Sequence, residues 1–118
     1  MEPYLPAPDE SLLIGVLRLS LHIPGARSLK DRRKVVQALR DRAHARHKAA
    51  FAEVGHLEAH DAAVLAVALV GNDAKNLRAR LDAVRSDAWS SPEAHVLSAI
   101  IDIRPFAPPT GFRDTEGV

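Results

Sequence analysis

Cysteine is absent from this chain of 118 residues, which excludes disulfide bonds, thiolate nucleophiles and cysteine-ligated zinc. Long apolar runs are also absent, and with no stretch of about eighteen apolar residues the sequence predicts no transmembrane helix. The first segment, MEPYLPAPDE, is acidic and proline-rich, unlike the basic and apolar start of a signal peptide. These absences predict a soluble, cytoplasmic protein, and no motif indicates a cofactor.

Aromatic residues are scarce, at 4% of the chain, and only Phe51 falls on a predicted strand. Sheets that recognise single-stranded RNA stack the bases on aromatic side chains, so this mode of recognition is not expected. Hydrophobic residues nevertheless make up 47% of the chain, which is enough for one domain with a buried core.

Charge, in contrast, is abundant and unevenly distributed. Residues 27–48 contain nine Lys or Arg and two acids, a net of +7, and the rest of the chain carries −6 because the whole carries +1. Such a polarised chain is typical of a protein with an anionic partner. The nine basic residues are Arg27, Lys30, Arg32, Arg33, Lys34, Arg40, Arg42, Arg46 and Lys48.

The basic segment follows a predicted strand. Residues 12–23 alternate between apolar and polar side chains toward their end, as in a half-buried strand, and a Pro-Gly pair then ends it. A helix is predicted to begin after Ser28 as its N-cap, with Asp31 in the position of a capping box. The apolar residues of this helix form one arc that includes Arg32, whereas most of its other basic residues lie on the opposite side.

The rest of the chain is predicted to contain two further strands, a second helix and a last strand. KAAFAEVGH and AAVLAVALVGN indicate two strands joined by a polar turn, and a second helix begins after Asn72 or Asp73. HVLSAIIDI is the last predicted strand, with Leu97 and every second residue after it toward the core.

The order strand, helix, strand, strand, helix, strand predicts an α+β fold. It is the ferredoxin-like βαββαβ two-layer sandwich, with both helices on one face of an antiparallel sheet. We expect the domain to span residues 12–104, between flexible tails at residues 1–11 and 105–118.

The basic helix is the main candidate site, because each cation that replaces a condensed counterion adds salt-sensitive affinity for a phosphate backbone. A solvated helix face is the alternative, and a protein partner is a third interpretation. The predicted RNA- or anion-binding residues are Arg27, Ser28, Lys30, Arg32, Arg33, Lys34, Arg40 and Lys48.

The turn PGARS before this helix is a second candidate, because free N–H groups at a helix start attract anions. The hairpin between the second and third strands should lie at the same end of the sheet, so Arg27, Ser28 and His56 are predicted to cluster. His22, His56 and His60 are assigned a supporting role there.

Metal binding and catalysis are weaker interpretations. His56, Glu58 and His60 share one face if their segment is extended, which leaves metal binding as an alternative, but the prediction assigns no metal. No catalytic residue is assigned either. An acylphosphatase-like site would combine Arg27 with the amide of Asn72, and the topology places Asn72 at the opposite end of the sheet.

The sheet face away from the helices is predicted to be apolar along its middle and to form a two-fold homodimer. Coverage by the proline-rich tails is the alternative. The residues expected on this open face are Ile14, Val16, Arg18, Ser20, His22, Val96, Ser98 and Ile100, with Phe51 as an additional candidate.

Three segments resemble the YlxP-like bacterial family, a domain of unknown function. The first combines a strand ending in His22-x-Pro24 with a helix start at Ser28, Leu29, Lys30, Arg32 and Arg33, and AEVGH (52–56) and VALVGND (67–73) follow in order. The resemblance covers residues 12–104. The turn at residues 57–61 departs from it, because relatives carry a tryptophan-containing stretch there.

This resemblance implies a ferredoxin-like fold and no established reaction. Genes of the family often neighbour those of translation initiation and ribosome maturation, which implies a partner such as RNA or a ribosomal particle. We therefore predict a non-enzymatic RNA-binding module, with a protein–protein interaction module as the alternative and a small-anion-binding or phosphatase-like enzyme as a weaker one.

Overall fold

The computed structural model describes residues 11–106, and residues 1–10 and 107–118, most of the predicted tails, lie outside that range. Its elements follow the predicted order: β1 (Leu13–His22), α1 (Leu29–His47), β2 (Ala50–Gly55), β3 (Ala62–Gly71), α2 (Ala74–Trp89) and β4 (His95–Pro105). The last strand runs past residue 104, where the domain was expected to end, because the Phe106 N–H donates to the Leu12 carbonyl at 2.8 Å.

All strand pairs are antiparallel, and the order across the sheet is β2-β3-β1-β4. The alternation of β1 decides which face is covered: Leu17, Leu19 and Leu21 are buried, whereas Arg18 between them is exposed. Both helices contribute apolar side chains to the same core, including Leu39 of α1 and Leu81 of α2. The predicted ferredoxin-like α+β sandwich is confirmed.

The helix ends follow from local chemistry. Ser28 is the N-cap of α1, and its hydroxyl accepts the Asp31 N–H at 3.1 Å, while Asp73 caps α2 in the same way. The C-cap of α1 is Lys48, which adopts the left-handed conformation at φ 53° and donates its N–H to carbonyls of the last turn. Glycine is the usual residue in that conformation, because a Cβ is strained there.

A β-bulge changes which residues of β4 face the core. Ser20 pairs with Ser98, but Leu21 pairs with Val96, so Leu97 is an extra residue on β4. Val96 therefore packs against the core, and Leu97 is 69% exposed. The predictions that Val96 lies on the open face and Leu97 in the core are both wrong, because a bulge reverses simple alternation beyond it.

Phe51, an additional candidate for the open face, lies instead on the face that the helices cover. It pairs with Val67, a fully buried residue, and packs against the core on the helix side of the sheet. The open face instead carries Ile14, Val70 and Ile100, with exposures of 37%, 65% and 55%. No helix within residues 11–106 is long and apolar enough to cross a membrane.

Candidate functional site

The adjacent arginines Arg32 and Arg33 have opposite environments. Arg32 is 2% exposed, and its guanidinium donates to the Glu53 carboxylate, to the Ala62 carbonyl at 2.8 Å and to the His56 carbonyl at 3.3 Å. It thus joins the first turn of α1 to the β2–β3 hairpin. The assignment of Arg32 to an anion-binding surface is corrected, because its charge is buried and already paired, whereas Arg33 is exposed.

Two more cations of α1 are held by α2. Arg46 donates to one carboxylate oxygen of Asp87 at 3.1 Å, and the His47 ring lies 3.1 Å from the other. Arg42 reaches the Asp87 backbone carbonyl at 3.4 Å, and Arg80 donates back to the His47 carbonyl at 2.7 Å. These contacts join the two helices, so Arg42, Arg46 and His47 have a structural role, although the Arg46 side chain is 61% exposed.

The other six basic residues of the segment are exposed, and within residues 11–106 none of them forms an ion pair. The nearby acids are engaged elsewhere: Asp31 accepts the Arg27 N–H, Asp41 accepts Gln37, and Glu53 accepts Arg32. The cationic face, as we call this set, consists of Arg27, Lys30, Arg33, Lys34, Arg40 and Lys48.

The start of α1 already has an anion of its own. The Asp31 carboxylate accepts the Arg27 N–H at 3.1 Å, and the Ser28 hydroxyl accepts the Asp31 N–H at the same distance. A phosphate at this turn would meet the Asp31 carboxylate, so the arrangement disfavours the predicted anion site. Ser28 acts as a cap, as its backbone conformation also indicates.

The three candidate histidines lie near one end of the sheet without forming one site. His22 lies on the open face, 3.9 Å from the Asp61 carboxylate, whereas His56 contacts Arg32 through its backbone carbonyl. His60 is exposed in the turn. Nowhere in residues 11–106 do three His, Asp or Glu side chains converge to hold a metal, so the alternative built on His56, Glu58 and His60 is not supported.

The acylphosphatase-like pairing fails on geometry. Gly71, just before Asn72, pairs with Leu13 at the start of β1, whereas Arg27 follows the other end of that strand. The two residues therefore lie beyond opposite ends of a ten-residue strand, which is about 30 Å long.

A shallow groove between α1 and β2 was not anticipated from the sequence. Two adjoining depressions form it, and Gln37, Arg40 and Phe51 line both of them. Arg33 and His44 extend the helix wall at its two ends. The sequence indicates that Phe51 and Glu53 share one face of β2, because they are two residues apart in a strand. Which face that is follows only from the register of β2 against β3.

The fold and this surface define a class: a small ferredoxin-like α+β domain with a cationic face on its first helix. More particularly, the chain belongs to the family described as "Protein of unknown function (DUF503)", which it matches over residues 14–101, well over half its length. This membership agrees with the resemblance to an uncharacterised family. No curated protein matches the chain.

Proposed function

We propose that this protein is a non-enzymatic binding module that contacts RNA or a ribonucleoprotein particle through the cationic face. The observation that carries the proposal is the six exposed cations without a carboxylate partner in the described part of the chain: four lie on α1, a helix of 19 residues, and Arg27 and Lys48 flank its two ends. Such a helix is about 28 Å long, so its cations can follow a phosphate backbone.

Backbone contacts, rather than base stacking, fit the rest of the sheet. The central strands β1 and β3 contain no Phe, Tyr or Trp, and Phe51 of β2 faces the helices. The central strands thus lack the Phe, Tyr or Trp on which unpaired bases usually stack, and the histidine rings of His22 and His95 lie together at one end of the sheet. The ligand favoured is therefore structured RNA, recognised by charge and shape.

The test is a variant with Lys30, Arg33, Lys34 and Arg40 replaced by Ala, in a titration of a short RNA hairpin at low salt. We expect affinity to fall by about tenfold or more, because several phosphate contacts are lost. The matched control replaces Lys75, Arg78, Arg85 and Arg104 by Ala, which removes the same charge from exposed positions away from α1. The RNA affinity of that control should fall much less than that of the α1 variant.

Equal losses in the two variants would show an effect of net charge alone and would contradict a localised surface. Unchanged RNA affinity in the α1 variant would also contradict a localised surface on α1. Purification of the intact chain with its partners, with and without ribonuclease, separates the main alternative. A partner that stays bound after ribonuclease and still needs the cationic face would favour the protein–protein interaction module.

A further inference from the structure

The two edges of the sheet differ in their protection against further strand pairing. Free edges normally carry charges, proline or a bulge that discourages such pairing. The outer strand β4 has a bulge, the Asp102–Arg104 ion pair and Pro105. The outer strand β2 also has a register shift, between Glu53 and Gly55, but residues 50–53 before it pair regularly with β3. The six residues of β2 contain neither Lys nor Pro, and their single charge, Glu53, is turned to Arg32.

The ladder identifies which backbone groups of β2 are free. The Ile23 N–H donates to the Asp61 carbonyl at 2.7 Å, and the β1–β3 register continues without a shift, so odd-numbered residues of β3 bond to β1. Its even-numbered residues then bond to β2, where they face Ala50 and Ala52. Phe51 and Glu53 therefore direct their N–H and C=O groups to the open edge.

The groove beside this edge has a cationic wall. Arg33, Gln37, Arg40 and His44 line it from α1 and are all exposed, and neither arginine forms an ion pair within residues 11–106. Two acids also line the groove, but both are engaged: Asp41 accepts the Gln37 amide N–H at 2.8 Å, and Glu53 is paired with Arg32. A strand added to β2 would direct every second side chain into this groove, because side chains alternate between the faces of a sheet.

We propose that β2 binds an extended acidic peptide by strand addition, with backbone hydrogen bonds to Phe51 and Glu53. The carboxylates of alternate peptide residues then lie against Arg33 and Arg40. The same charges disfavour a second copy as the occupant, because two-fold pairing of β2 with β2 would bring two such cationic walls together. This inference rests on the strand edge; it shares Arg33 and Arg40 with the proposed RNA surface but does not require that RNA binds there.

The probe is a capped peptide of about eight residues with alternating Glu and Val, added to the full chain and followed by amide hydrogen exchange in NMR. In the free protein the amides of Phe51 and Glu53 should exchange fast, while those of Ala50 and Ala52 are protected. The peptide should slow exchange at Phe51 and Glu53 by about tenfold or more, as new backbone hydrogen bonds form.

Two double variants test the charge contribution. Arg33→Ala with Arg40→Ala should weaken peptide binding by about tenfold, because both cations line the groove. The matched control, Lys30→Ala with Lys34→Ala, removes the same charge from α1 outside the groove and should change affinity by less than about twofold. A peptide of alternating Gln and Val should bind more weakly than the acidic probe.

Three results would overturn the proposal. The first is unchanged exchange at Phe51 and Glu53 under saturating peptide. The second is protection of these amides without peptide that grows with protein concentration, which would identify β2 as a contact between copies. The third is protection by an RNA hairpin but not by the peptide, which would assign the edge to nucleic acid. Loss of RNA binding in other assays leaves the peptide result unaffected.

Discussion

The contrast between Arg32 and Arg33 gives the sharpest single prediction. Arg32→Ala removes three hydrogen bonds and takes the arginine donor from the Glu53 carboxylate and the Ala62 carbonyl, whereas the His56 carbonyl still accepts the Ala59 N–H at 3.1 Å. Breaking a buried pair costs about 3–5 kcal/mol, and the lower end applies because the Glu53 side chain is 31% exposed and can be hydrated. We expect the free energy of unfolding to fall by about 3 kcal/mol, measured by urea denaturation.

Arg33→Ala should show the opposite profile, with stability within about 0.5 kcal/mol of the parent and weaker binding to an RNA hairpin. If Arg32→Ala does not fold, Arg32→Lys keeps the charge, loses the planar fork and should still be clearly less stable than the parent. A loss below about 1 kcal/mol for Arg32→Ala, or an RNA-binding defect in the folded Arg32→Lys variant equal to that of Arg33→Ala, would refute this reasoning.

Two further predictions concern stability and assembly. Lys48→Gly should raise the free energy of unfolding by about 0.5–1 kcal/mol, because glycine adopts φ 53° without Cβ strain, and it should also weaken RNA binding slightly. A decrease in stability in urea denaturation would contradict it. The full chain should sediment as a dimer at tens of micromolar, and Val70→Asp with Ile100→Asp should give a monomer, because both residues lie exposed on the open face. A parent that is already monomeric would contradict the dimer.

Much of the fold follows from short-range patterns in the sequence. Three features depend only on residues that are close together in the chain: the order of elements, the N-cap at Ser28 and the buried side of β1. Such patterns are visible without knowledge of neighbouring strands. The bulge at Leu97 is not, because it depends on how β4 pairs with β1.

The candidate site shows the same limit. Arg32 stood out as a charged residue within an apolar arc, but its partner Glu53 lies 21 residues away and could be identified only from the strand register. The contact between Arg46 and Asp87 spans 41 residues and likewise had no local signal. Counting charges therefore overestimated the number of cations available to a ligand: of the nine Lys or Arg in residues 27–48, six are exposed and unpaired in the described part of the chain.

The most direct test of the account is the salt dependence of RNA-hairpin binding by the full chain. Each displaced counterion contributes roughly 0.7–0.9 to the slope of log affinity against log salt, so about four to six phosphate contacts predict a slope of roughly −3 to −5. The variant lacking Lys30, Arg33, Lys34 and Arg40 should have a distinctly shallower slope. A slope near zero for the parent, or equal slopes for parent and variant, would contradict a phosphate-binding role for α1.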